Sequence, residues 1–173
     1  LNLDSLETSG VDIEASYAAA LGTGRLSLRA LLNYTDRFVI TTPGAPPRDL
    51  AGEVGNSSNP RWSGAFTATY TQGAFTLFAQ ERFISGGTLN IDFVEGVGID
   101  NNRVPARFYT DITGQISIGE APGEFQLFAT VNNLFDADPP AFNSVVSVTE
   151  RPTNFALYDV IGRYFTVGAR IRF

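Results

Sequence analysis

The sequence predicts an all-β protein, an antiparallel up-and-down meander of about seven strands, and three observations predict it. Hydrophobic residues recur with a period of two rather than about 3.6. Charged and amide side chains keep to one of the two faces that this period defines. Tight turns alternate with long loops along the chain.

The first strand runs from Gly10 to Leu21, with Val11, Ile13, Ala15, Tyr17, Ala19 and Leu21 on one side and Asp12, Glu14 and Ser16 opposite. A Gly22-Thr23-Gly24 turn leads to Leu26, Leu28, Ala30, Leu32 and Tyr34, set against Ser27, Arg29 and Asn33. Residues 36–60 hold Pro43, Pro46 and Pro47 without a sustained period and read as a loop. Trp62, Gly64, Phe66, Ala68 and Tyr70 then alternate with Arg61, Ser63, Thr67 and Thr69. Gln72-Gly73 turns the chain into Phe75, Leu77 and Ala79, opposite Thr76 and Gln80. A second loop spans 84–106. Ile112, Gly114, Ile116 and Ile118 follow, opposite Asp111, Thr113, Gln115 and Ser117, and a Glu120-Ala121-Pro122-Gly123 turn precedes Phe125, Leu127, Ala129 and Val131. After a third loop, 137–157, the last strand alternates Phe165, Val167, Ala169, Ile171 and Phe173 with Tyr164, Thr166, Gly168, Arg170 and Arg172.

Composition excludes several chemistries. The 173 residues contain no Cys and no His, so thiolate and imidazole catalysis, zinc fingers and disulfide frameworks are out of reach. The 12 basic residues are all Arg, the net charge is −6, and no basic stripe exists, so nucleic acid is not expected as a partner. No apolar run is long enough for a transmembrane helix. The chain opens at Leu1 and lacks Met, and it reads as a piece of a longer protein.

A face without charge suits either the packed interior of a soluble barrel or sandwich, or the lipid around a transmembrane barrel. Three features favour lipid. Antiparallel order puts every short turn at one end and every long loop at the other. The polar face carries Ser, Thr, Gln, Asn and a few Arg and Asp, but no Lys, as a crowded polar lumen would. Apolar-face aromatics gather at strand ends: Tyr34 and Trp62 beside a long loop, Tyr70, Phe75, Phe125 and Phe173 beside turns or the terminus.

At Val131-Asn132-Asn133-Leu134-Phe135-Asp136, at Tyr158-Asp159-Val160-Ile161-Gly162-Arg163-Tyr164-Phe165 and at Arg170-Ile171-Arg172-Phe173, the chain resembles the C-terminal part of TonB-dependent outer-membrane receptors. Ser9-Gly10-Val11-Asp12-Ile13-Glu14 is similar to a recurrent strand entry of that family. The resemblance implies that residues 1–173 are the closing portion of a barrel of about 22 strands, without its plug and its earlier strands. It implies a place in the bacterial cell outer membrane and a part in energised uptake of a scarce nutrient: a siderophore, cobalamin or an oligosaccharide. Its partners would be outer-membrane lipid, the plug and remaining strands, TonB acting through the plug, and the barrel assembly machinery. Phe165, Val167, Ala169, Ile171 and Phe173 would form the signal which that machinery reads.

No catalytic residue, cofactor or metal site is expected, and the chain is not expected to be an enzyme. On the polar face, Asp12, Glu14, Arg29, Arg61, Asp111, Arg170 and Arg172 are candidate lumen charges, expected to pair with one another and with the plug. Phe38, Trp62, Phe93, Tyr109, Phe142 and Phe155 lie near or in the long loops and are candidates to stack on a ligand. Asn132, Asn133 and Asp136 suit side-chain bonds to turn amides. Asp92, Glu95 and Asp100 do not match an EF-hand loop and read as a solvated loop face. The alternative function is a soluble β-sandwich or small β-barrel that binds a ligand. A carboxylate hydrolase finds no convergent Asp/Glu pair.

Overall fold

The computed structural model describes residues 5–119, 123–142 and 153–172. Ten strands form: β1 (Ser5–Leu21), β2 (Gly24–Thr41), β3 (Arg48–Asp49), β4 (Trp62–Gln72), β5 (Phe75–Ile84), β6 (Gly87–Thr88), β7 (Arg103–Val104), β8 (Arg107–Ile118), β9 (Glu124–Asn132) and β10 (Tyr164–Arg172). The seven long ones lie in the sheet in chain order, β1-β2-β4-β5-β8-β9-β10, with every neighbour antiparallel. This is the expected all-β, up-and-down meander. The short β3 pairs with β2 at Val39 and Ile40, and β6 pairs with β7 as a separate ribbon.

The sheet is open, since β1 and β10 each have a single long neighbour. Both run from the long-loop end to the turn end, so they could meet only in parallel. Part of the expected Glu120–Gly123 turn lies outside the described residues, as does Phe173.

Register aligns the predicted apolar rows across the sheet. Ile13 faces Leu32, which faces Gly64; Ala30 faces Phe66; Tyr70 faces Leu77; Ile112 faces Val131, which faces Phe165. No second layer covers this face among the described residues. Leu28 is 40% exposed, Phe66 42%, Val167 80% and Ile171 60%, so these side chains do not converge on a dry centre as a sandwich core would require.

Four strands extend beyond their predicted limits, each for a physical reason. In β1 and β2 the register shifts between Ser9 and Gly10, and Asp36 is passed over, which is a β-bulge. A side chain at Gly10 would meet the Tyr34 carbonyl oxygen at 2.2 Å, so only glycine fits. Above the bulge the β1 row that reads Val11 to Leu21 below it changes to Ser5, Glu7 and Ser9. In β5 and β8 the paired extension is Glu81 opposite Thr110 and Phe83 opposite Phe108.

That extension corrects one expectation. The apolar face is not free of charge: Glu81 lies on it, between Phe66 and Thr110, and accepts a hydrogen bond from the Thr110 hydroxyl. The partly buried, hydrogen-bonded position reduces the penalty of a carboxylate among apolar side chains.

The buried hydrophobic residues lie at the long-loop end of the molecule. Val54, Leu89, Val104 and Tyr158 form a small core, one or more from each long connection, with Ile84, Phe93, Ile99, Phe142 and Leu157 packed against it. Side chains supply the bonds that the irregular backbone lacks. Buried Glu53 accepts from the amide of Ile91 at 2.8 Å and from the Ser57 hydroxyl. Asn102 donates to the carbonyls of Asn90 (2.9 Å) and Phe93 (3.1 Å). Asn154 donates to the carbonyls of Val54 and Ser57, both at 3.0 Å, tying the last connection to the first.

Candidate functional site

The polar face of β1, β2, β4 and β5 lines an open cleft of about 750 Å³ to which Leu157 also contributes. Its polar side chains are Asp12, Glu14, Asn33, Ser63, Gln80 and Arg82. Their bonds follow from cross-strand register, which sets side chains on one face within reach of each other. Asn33 donates to Asp12 at 2.7 Å, directly across the β1–β2 pair. Arg29 reaches diagonally to Glu14, with a guanidinium nitrogen 2.8 Å from its carboxylate. Both partners of that pair are more than half exposed, so its contribution to stability is small.

Arg82, absent from the predicted candidates, is the hub of this wall. Its Nε lies 3.4 Å from Asp111 and its Nη2 3.8 Å from Asp159, and the guanidinium sits 5.2 Å from the centre of the Tyr109 ring. The amide of Asp159 donates to the Tyr109 hydroxyl at 3.3 Å. Thus the chain just before β10 is held against the sheet by one cation between two carboxylates.

Two of the segments quoted for the family resemblance, 131–136 and 158–165, clasp each other here. Asn133 (φ 48°) and Asp136 (φ 54°) adopt left-handed conformations, which Asn and Asp tolerate better than other side chains. The Asn133 side chain closes the turn, accepting from the Ala137 amide at 2.8 Å and donating to its carbonyl at 3.1 Å. Its own amide donates to Asp111 at 2.8 Å. Asp136 accepts from the amide of Arg163 at 2.8 Å, and the Arg163 guanidinium lies 3.8 Å from the same carboxylate. Asn133 and Asp136 therefore bond turn and strand-end backbone.

The remaining candidates separate by environment. Arg172 pairs with Glu124 at 3.1 Å, and Arg61 donates to the Asp36 carbonyl at 2.9 Å. Arg170, opposite Gln126, has no ion pair among the described residues. Trp62 opens β4 on the apolar face beside the long loop, as expected, and packs on Tyr34, ring centres 4.6 Å apart. Phe83 and Phe108, which the shorter predicted strands omit, make a matching pair at 4.8 Å. Tyr109 is fully buried, a correction to its candidacy as a ligand-stacking ring. Phe93 and Phe142 pack on the loop core, Phe38 is half-buried at the far end of β2, and Phe155 remains 47% exposed.

In the 84–106 loop, Asp92 pairs with Arg48 and Glu95 accepts from the Asn102 amide at 2.9 Å, so the acidic residues do not converge. No group of three or more acidic side chains that could hold a metal occurs among the described residues. Asp49 is held below the usual carboxylate range, chiefly by the Phe38 amide donating to it at 2.9 Å.

Burial pushes the Tyr158 phenol up to about 12, and its hydroxyl has no hydrogen-bond partner. An acid whose folded pKa lies above its unfolded value of about 10 stabilises the fold fully below pH ~10. That contribution disappears as pH rises toward the folded value. Tyr158→Phe is expected to match or exceed the native stability at pH 7 and to flatten the loss between pH ~10 and ~12. Unfolding midpoints across that range check it; an unchanged slope refutes the assignment.

Neither a protein-family model nor a curated protein matches the chain.

Proposed function

We propose that the chain is a wall segment of a TonB-dependent receptor in the bacterial outer membrane, serving uptake of a scarce nutrient such as a siderophore, cobalamin or an oligosaccharide. It catalyses no reaction. In this reading the apolar face meets lipid, the polar face lines a lumen, and the three long connections face the cell exterior. A plug, further barrel strands, TonB and the assembly machinery would complete the working receptor.

One observation carries the proposal: among the described residues, a broad apolar sheet face stays uncovered while the hydrophobic core gathers at the loop end. Each large side chain left in water forgoes roughly 1.5–3 kcal/mol of burial, and a patch spanning seven strands far exceeds what soluble monomers expose. The height of the face fits a bilayer. From Leu26 to Tyr34 and from Tyr70 to Trp62 the apolar rows cover nine residues each. At about 3.3 Å per residue and a tilt of about 40°, that spans roughly 23 Å, near the ~25 Å band of outer-membrane barrels. The aromatic pairs Tyr34–Trp62 and Phe83–Phe108 lie at one border of that band, as interfacial girdles do.

The open edges fit the same reading. Unpaired backbone in hydrocarbon costs several kcal/mol per group, so β1 and β10 need strands from outside this chain. In its native cells the protein is expected in the outer-membrane fraction, released only by detergent, with a gel mobility that changes on heating. Recovery of the native protein as a detergent-free monomer overturns the proposal.

A further inference from the structure

The apolar face carries the Glu81–Thr110 pair and, beside it, a groove of about 430 Å³. Cross-strand register builds it. Ala30, Phe66, Glu81 and Thr110 stand in one row across β2, β4, β5 and β8, and Leu28, Ala68 and Ala79 stand in the next. The single methyl groups of the three alanines leave the surface low beside the larger side chains of Leu28 and Phe66. Alternate residues of the same strands turn to the polar face, where Arg29 holds Glu14. One oxygen of the Glu81 carboxylate accepts the Thr110 hydroxyl, and the other has no hydrogen bond or ion pair among the described residues. A carboxylate offers about four acceptor sites, and in apolar surroundings an empty one is costly. The open oxygen calls for a donor from outside these strands.

We propose that this groove holds one acyl chain of a membrane lipid whose linkage to that chain carries a hydrogen-bond donor, an amide N–H or a hydroxyl, and that Glu81 receives it. Depth decides the kind of donor. Glu81 lies two residues before Phe83 and Thr110 two residues after Phe108, the ring pair at the border of the apolar band. At about 3.3 Å per residue and a tilt of about 40°, the carboxylate row stands roughly 5 Å inside that border. A lipid's charged head stays outside the hydrocarbon, whereas the groups that join head to chain reach this depth. Ester linkages present acceptors alone and would set oxygen against oxygen. An amide or hydroxyl supplies the complementary donor, and a hydrogen bond to a charged acceptor is about twice as strong as a neutral one. Below the linkage, the alanine floor receives the chain. The inference rests on the outer-membrane reading and adds to it a site for a lipid of particular chemistry.

The test uses the complete protein purified in detergent and native mass spectrometry with a matched pair of phosphocholine lipids. Sphingomyelin has an amide N–H and a hydroxyl at the head of its chains; diacyl phosphatidylcholine has no donor there. Sphingomyelin should bind about tenfold more tightly, the worth of one hydrogen bond to a charged group. Glu81→Leu should bring the two lipids within about twofold of each other, and it should leave membrane assembly intact, because leucine suits an apolar row. Ala79→Leu should raise the floor and weaken both lipids alike, so that groove and carboxylate are read separately. Equal affinity of the two lipids for the native protein, a preference that survives in Glu81→Leu, or binding undiminished by Ala79→Leu overturns the inference. So does a co-purified protein chain that Glu81→Leu releases, which would make the groove a protein contact. Should the lipids bind equally to a protein that fractionates with the outer membrane, the lipid-site inference alone falls; a protein found outside the membrane removes the membrane reading itself and this inference with it.

Discussion

Under the proposed outer-membrane reading, Val167→Arg should lower the fraction of the protein assembled in that membrane at least tenfold, while Thr166→Arg, at the adjacent position, should have a much smaller effect. The two positions are consecutive in β10, so they share backbone environment, distance from the strand ends and edge geometry. They differ in face. Val167 is 80% exposed beside Phe165 and Ile171 in the apolar row, whereas Thr166 pairs with Thr130 in the polar one. A charge facing lipid near the bilayer midplane costs roughly 2–4 kcal/mol, and 1.4 kcal/mol is a factor of ten in an equilibrium. At Thr166 the guanidinium would enter a polar row that already holds Arg170 and Arg172. The measurement is the amount of heat-modifiable receptor in outer-membrane fractions of cells expressing each variant at equal level. Equal assembly of the two would mean that the faces are assigned wrongly.

The meander was legible because period-two alternation survives wherever the ladder is regular, and it failed at the points where the ladder or the alternation breaks. At Asp36 the bulge shifts the phase, so a count that works from Leu26 to Tyr34 stops there although β2 continues to Thr41. At Glu81 a carboxylate occupies an apolar-row position and breaks the row two residues before Phe83 restores it. Thr110 hides the start of β8 in the same way. The losses matter for the candidate site, because the hidden stretches hold Arg82 and both members of the Phe83–Phe108 pair. The loop core was invisible for another reason. Val54, Leu89 and Val104 come from the long connections, whose contacts span tens of residues and follow no period. By contrast, Asn133 and Asp136 were readable as turn-bonding residues from their type and position, since few other residues combine a left-handed backbone with a short polar side chain.

Removing the cation at Arg82 should release the chain ahead of β10 from the sheet. Arg82 stands between Asp111 and Asp159, whose side chains are only 16% and 11% exposed, and it covers the buried ring of Tyr109. In Arg82→Met the aliphatic stem is kept and the charge is lost, leaving two sheltered carboxylates to repel each other across the gap. Breaking a fully buried pair costs about 3–5 kcal/mol; here the guanidinium is 40% exposed and water shares the load, so about 2–3 kcal/mol of local stability is the appropriate scale. Local opening of that size raises amide exchange by roughly 30- to 150-fold in the segment concerned. The increase should cover residues 153–163 and the Asn133–Ala137 turn, which Asp111 and Asp136 tie to them, and should spare β1 and β2. Faster exchange confined to that segment identifies Arg82 as its clamp; exchange unaltered by the substitution, or raised equally throughout the sheet, would show that the loop core holds the segment unaided.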